Sequence, residues 1–68
     1  MHVSVNGTTR EVRDGIVVAD LVAAGGVAPG EPGVAVALDG EVVARRDWGA
    51  TPVPAGARVE IVRAAAGG

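Results

Sequence analysis

Met1 to Asn6 alternates, with Val3 and Val5 on one face and His2 and Ser4 on the other. That is the pattern of a half-buried strand. Asn6-Gly7 follows, the strongest short hairpin signal, because both residues tolerate positive φ. Thr8 to Arg13 is then the return strand, with Val12 inward and Thr8 and Arg10 on the same face nearer the turn. Asp14-Gly15 breaks the pattern. From Ile16 to Ala24 the spacing turns helical: Val18, Leu21 and Val22 share a face, widened by Val17 and Ala24. Gly25-Gly26 ends the helix, while its start lacks a Ser or Thr cap and offers only Asp14 nearby.

Val27 to Gly33 reads as a loop from its prolines and glycines. Val34 to Leu38 is the most strand-like run, with Val34, Val36 and Leu38 on one face and Ala35 and Ala37 on a second, shallow apolar face. Asp39-Gly40 is another turn signal, and Glu41-Val42-Val43 a short strand. Arg45 to Trp48 reads as a helical turn or loop. Thr51-Pro52-Val53-Pro54 cannot be a central strand, since proline gives no ladder N–H. Ala55 to Ala57 turns into a last strand from Arg58 to Arg63, where Val59 and Ile61 alternate with charged residues.

The predicted order is strand, strand, helix, strand, short strand, strand. One helix on one face of a mixed sheet of about four to five strands follows from the layer rule. The crossover through the helix permits a parallel central pair. This is an α+β chain with the element order of the ubiquitin-like β-grasp. Residues 1–63 form the domain, and residues 64–68 read as a flexible tail.

At 68 residues the chain supports one small domain with a marginal core. Hydrophobic residues make up 49%, but much of that is alanine; valine supplies the bulk and favours strands. There is no cysteine, which excludes disulfides and thiol chemistry on side chains. The one histidine, His2, and the one serine, Ser4, lie too close on one strand for a Ser-His-acid triad, and one histidine makes no His-rich metal site. With net charge −2, six arginines and no lysine, the chain carries no basic stripe for nucleic acid. No apolar run reaches membrane-span length and no signal peptide is visible, so a cytoplasmic protein without membrane contact is expected.

The chemistry is left to the tail. After Arg63 no side chain exceeds a methyl group, and Ala65, Ala66, Gly67 and Gly68 form a thin thread. Read as the end of the chain, Gly68 presents a free carboxylate. Five extended residues span at most roughly 16–18 Å, enough to enter a buried site while the body docks outside. Glycine lets such a thread adopt backbone angles other residues refuse. The ordinary alternative is a frayed terminus. Arg63 stands where the tail leaves the body and could meet a partner's acid. The shallow face with Ala35, Ala37 and Val62 is a candidate docking surface. Trp48, the only aromatic residue, reads first as a lid on the loop side of the core; its alternative is an exposed docking anchor. The glycines from Gly25 to Gly33 match no phosphate-binding spacing.

Val34 to Trp48, then Gly56 to Arg63 with the tail and the helix residues Ala19 to Val22, resemble the ThiS family of sulfur carriers for thiamine thiazole synthesis, within the ubiquitin-like ThiS/MoaD superfamily. The likeness rests on the Asp-Gly turn, the basic residue and Trp after it, the Arg-Val-Glu-Ile strand and the Gly-Gly end. Ala44 stands where that family often has proline, Ala57 where it usually has Asp, and Val17 where a capping Thr is frequent.

The resemblance implies a cycle in which the chain is a co-substrate and not an enzyme. A ThiF-like adenylyltransferase, using ATP and Mg²⁺, activates the Gly68 carboxylate. A sulfurtransferase or cysteine desulfurase supplies sulfur, leaving a thiocarboxylate. A ThiG-like thiazole synthase takes the sulfur. No cofactor or metal is expected to be bound by the chain itself. The alternatives are a molybdopterin-synthase small subunit or other MoaD-like carrier, a ubiquitin-like protein modifier, and a plain interaction domain.

Overall fold

A computed structural model describes residues 1–64 of the chain. Strands β1 (His2–Val5) and β2 (Thr8–Glu11) form the opening hairpin, followed by helix α1 (Val18–Ala24). Strands β3 (Val34–Leu38) and β4 (Glu41–Val43) form a second hairpin, then a 3₁₀ helix spans Arg45–Ala50 and β5 (Arg58–Arg63) closes the fold. The sheet order is β2-β1-β5-β3-β4. β1 and β5 pair in parallel at its centre, and the other neighbours are antiparallel. This is the β-grasp arrangement: the last strand is inserted between the first and third, and the main helix covers one face.

Both hairpins turn on the dipeptides that predict them. Asn6 and Gly7 have φ of 50° and 83°, and Asp39 and Gly40 have 48° and 85°. Positive φ at both central positions twists the turn in the sense the strands require. The registers follow, Val5 opposite Thr8 and Leu38 opposite Glu41.

Two elements are shorter than their patterns suggest. β2 stops at Glu11 instead of Arg13; Val12 N–H still donates to Met1 O, and Asp14-Gly15 then turns the chain away. The helix starts at Val18 instead of Ile16. Val17 is extended, with φ −95° and ψ 159°, and bridges Pro52. No side chain caps the helix. The carbonyl of Thr51 takes the Val18 N–H at 2.9 Å, so a distant loop does the work of the missing cap. Asp14 instead faces the Met1 amine at 3.4 Å. At the other end Gly26, at φ 91°, closes the helix and donates to Ala23 O.

The core lies between helix and sheet. Val3, Val36 and Val59 come from three strands, and Val18, Leu21 and Val22 from the helix; all are buried. Val27, Val53 and Ala57 are buried too, although they belong to loops. Val53 sits between two prolines, and its N–H donates to Ile16 O, which pins that loop under the helix start. Ala57, where a family Asp is usual, is 3% exposed, so the methyl group fills the core at a site with no room for solvent. Ala44, with φ −59°, already holds the backbone angle that a proline would impose. Among the described residues no helix is long and apolar enough to cross a membrane.

Candidate functional site

β5 is the strand that carries the chain towards its tail, and turn residues clip it at its start and at Ile61. At its start Arg58 N–H donates to Asp39 Oδ1 at 2.8 Å, and Asp39 N–H donates to Arg58 O at 2.8 Å. Further along, β1 has turned away after Val5. There Asn6 takes over: Ile61 N–H donates to its Oδ1 at 2.8 Å, and its Nδ2 donates to Ile61 O at 3.1 Å. The side-chain amide reproduces what a paired strand would offer. β3 pairs along the other edge of β5, ending with Val34 opposite Arg63. Sequence reasoning saw Asn6 and Asp39 only as turn formers. Their second role depends on long-range pairing, and no local pattern signals it.

Beyond β5, Ala64 N–H donates to Gly33 O at 2.7 Å. The Arg63 guanidinium lies 3.4 Å from Glu31, a pairing within the chain at the place where the sequence suggested a partner's acid. Ala65, Ala66, Gly67 and Gly68 lie outside the described residues.

The side chains of β5 divide by parity. Val59 and Ile61 face the helix; Arg58, Glu60 and Val62 face out. Val62 sits opposite Ala35 in the ladder, and Ala37 sits opposite Val42 on β4. The structure therefore brings Ala35, Ala37 and Val62 onto one outer sheet face, with Val42 added. Val42 and Val62 are 78% and 60% exposed, the exposed large hydrophobic residues among those described. Two bulky side chains thus stand in water on either side of the alanines, a concentration of apolar surface on one face. Glu60 shares this face, opposite Ala37 in the ladder, and its carboxylate lies 3.3 Å from the Arg58 guanidinium. Val42 was missed because a three-residue strand is too short to show alternation. The register could have found it: a two-residue Asp39-Gly40 turn sets Leu38 opposite Glu41, and hence Ala37 opposite Val42.

Trp48 is 7% exposed, and its Nε1–H donates to Val43 O at 2.9 Å. It is a lid on the core, and the docking-anchor alternative is set aside. The Arg45 guanidinium lies over its ring, 4.6 Å from the centroid, and covers what the core does not. Among the described residues no group of three His, Cys, Asp or Glu side chains could hold a metal ion.

A ubiquitin-like β-grasp body with a clipped exit strand and an apolar outer sheet face defines the class. The ThiS family model matches residues 3–68, and the chain belongs to that family. It is similar over the whole of both chains to the crystal structure of the thiamine biosynthesis protein ThiS from Geobacter metallireducens, with 37% identity and a TM-score of 0.82. The solution structure of a thiamine biosynthesis protein from the same organism is 37% identical, with all of this chain and 88% of that one covered and a TM-score of 0.80. No curated protein matches the chain.

Proposed function

We infer that the chain is a sulfur carrier for thiamine thiazole synthesis and that its reactive group is the carboxylate of Gly68. The observation that carries this reading is the family match, which runs through residue 68 and so includes the Gly-Gly end. The full-length likeness to a thiamine biosynthesis protein supports it. The side-chain inventory agrees, since a chain without cysteine has no thiol on which to hold sulfur.

In the proposed cycle a ThiF-like adenylyltransferase binds ATP and Mg²⁺. A Gly68 carboxylate oxygen attacks the α-phosphorus, and pyrophosphate leaves. The outer sulfur of a persulfide held by a sulfurtransferase or cysteine desulfurase then attacks the acyl carbon, and AMP leaves with the oxygen. A thiol reductant cleaves the resulting acyl disulfide to release the thiocarboxylate. The resulting thiocarboxylate passes its sulfur to a ThiG-like thiazole synthase. The chain contributes reach, docking and a leaving-group-ready acyl end, and its cytoplasmic partners do the catalysis. The test is the intact mass after incubation with the cognate activating enzyme, ATP and a sulfur source. A gain equal to exchanging oxygen for sulfur is the expected result; high-mass lysine conjugates would replace this reading with a protein modifier.

The outer face is where the activating partner docks in this proposal, through Val62, Ala35 and Ala37 together with Val42. Val62→Arg is expected to weaken that docking about tenfold, because full burial of a valine is worth ~1.5–3 kcal/mol and a buried arginine adds a desolvation cost. Since Val62 is 60% exposed, thermal unfolding should stay near that of the wild type. Titration of the activating enzyme by calorimetry checks it; unchanged affinity would move the docking surface elsewhere.

A further inference from the structure

The loop from Val27 to Gly33 is an unexplained part of the chain, and one residue in it makes contacts in three directions. Glu31 Oε1 accepts from Ala28 N–H at 3.1 Å, while Glu31 N–H donates to Ala28 O at 3.0 Å, so the loop is closed on itself. The Glu31 carbonyl accepts from Arg45 Nη2, which ties the loop to the 3₁₀ helix and to Trp48 beneath that guanidinium. Glu31 Oε2 faces Arg63 Nε at 3.4 Å. Two residues on, Gly33 O accepts from Ala64 N–H at 2.7 Å. Gly33 has φ 74°, and a Cβ there would come within 3.2 Å of the Ala64 Cβ. Glycine is required twice over, for the angle and for the close approach.

We propose that Glu31 is a positioning residue for the tail: it holds the Val27–Gly33 loop as a clasp on Arg63 and Ala64, so that the chain leaves the sheet along a fixed line. The proposal rests on the carrier reading, because it concerns how the terminal carboxylate is presented to an activating enzyme. The ladder between β3 and β5 ends at Val34 opposite Arg63. The clasp prolongs it by a further hydrogen bond into Ala64. Ordering these two residues before docking removes an entropic cost that binding would otherwise carry. The benefit is the same in ground state and transition state, so it belongs in KM and leaves kcat unchanged. An exposed ion pair alone is weak, and the closed loop and the Gly33–Ala64 bond are what give it leverage.

The test uses the full chain with its cognate activating enzyme, measuring ATP–pyrophosphate exchange as a function of carrier concentration. Glu31→Gln keeps an acceptor for Ala28 N–H and removes the charge. It should raise KM roughly two- to fivefold with kcat unchanged, the range of an exposed ion pair. Gly33→Ala should raise KM by about tenfold, since it displaces Ala64 and frees roughly one residue of backbone. Arg63→Gln should match Glu31→Gln, and the double variant should cost no more than either single, because both remove one interaction. Thermal melts of each variant separate this from loss of fold, and amide exchange at Ala64, measured by NMR, should quicken in Glu31→Gln.

Wild-type KM in Glu31→Gln, or a fall in kcat in its place, overturns the proposal. So do additive effects of Glu31→Gln and Arg63→Gln, which would mean that the enzyme reads Arg63 by itself. If the wild-type chain supports no exchange at all, the carrier reading falls and takes the role of the clasp with it. An Ala64 amide that exchanges equally fast in wild type and Glu31→Gln removes the clasp alone.

Discussion

Removal of Gly68 is expected to stop thiocarboxylate formation while leaving the body folded. The truncated chain would still end in a glycine carboxylate, chemically equivalent to the original, so the loss is one of reach. Each extended residue contributes about 3.3–3.6 Å, and the new carboxylate falls short of the ATP α-phosphate by that distance. Misplacement of a reacting atom by ~1 Å can already cost about a hundredfold in rate, so at least that loss is expected. Gly68→Ala, which keeps the length and adds a methyl group, should cost less than the deletion. The readouts are intact mass for the thiocarboxylate and thermal unfolding for the body. The buried core cluster is built from residues between Val3 and Val59. A truncated chain that forms thiocarboxylate at the wild-type rate would show that the terminal carboxylate is not the sulfur-bearing group.

Trp48→Ala is expected to act on the opposite end of the problem, the fold itself. The ring is 7% exposed and packs in the core cluster, and its Nε1–H satisfies Val43 O at 2.9 Å. Truncating a buried tryptophan costs ~3–5 kcal/mol through lost burial and the cavity left behind. A chain of 68 residues has roughly 3–10 kcal/mol in total stability, so this substitution takes a third of it or more. Val43 O would lose its partner, and Arg45 the ring it covers. Trp48→Phe keeps most of the apolar area and loses the hydrogen bond, and should cost about 1–2 kcal/mol. Urea unfolding measures both. If Trp48→Ala unfolds at the wild-type midpoint but binds the activating partner poorly, the residue belongs to the docking surface and the burial argument fails.

These expectations rest on features that differ in how visible they are in the sequence. The paired turns were legible because Asn6-Gly7 and Asp39-Gly40 need positive φ and little else, a local requirement met by local residue choice. β3 runs from Val34 to Leu38, as its alternation indicates, since its apolar period stands alone. The helix was legible in its body and not in its start. Helical periodicity counts Ile16 and Val17 as apolar, but Pro52 and Val53 draw them into extended pairing. The burial of Val53 and Ala57 was hidden for the same reason: loop residues become core only when another segment lies on them.

By itself the sequence determined the class of fold, the element order, and the chemical poverty of the side chains that points to the tail. Those follow from periodicity, turn chemistry and residue inventory, all of which are local or additive. Tertiary structure alone decided that Asn6 and Asp39 clip β5, that Val62 stands opposite Ala35 across the β3–β5 ladder, and that Glu31 closes on Arg63 beside the exit. Each of those joins residues far apart in the chain through hydrogen-bond register or side-chain reach. Register is a property of two strands together, and neither strand's residues state it alone.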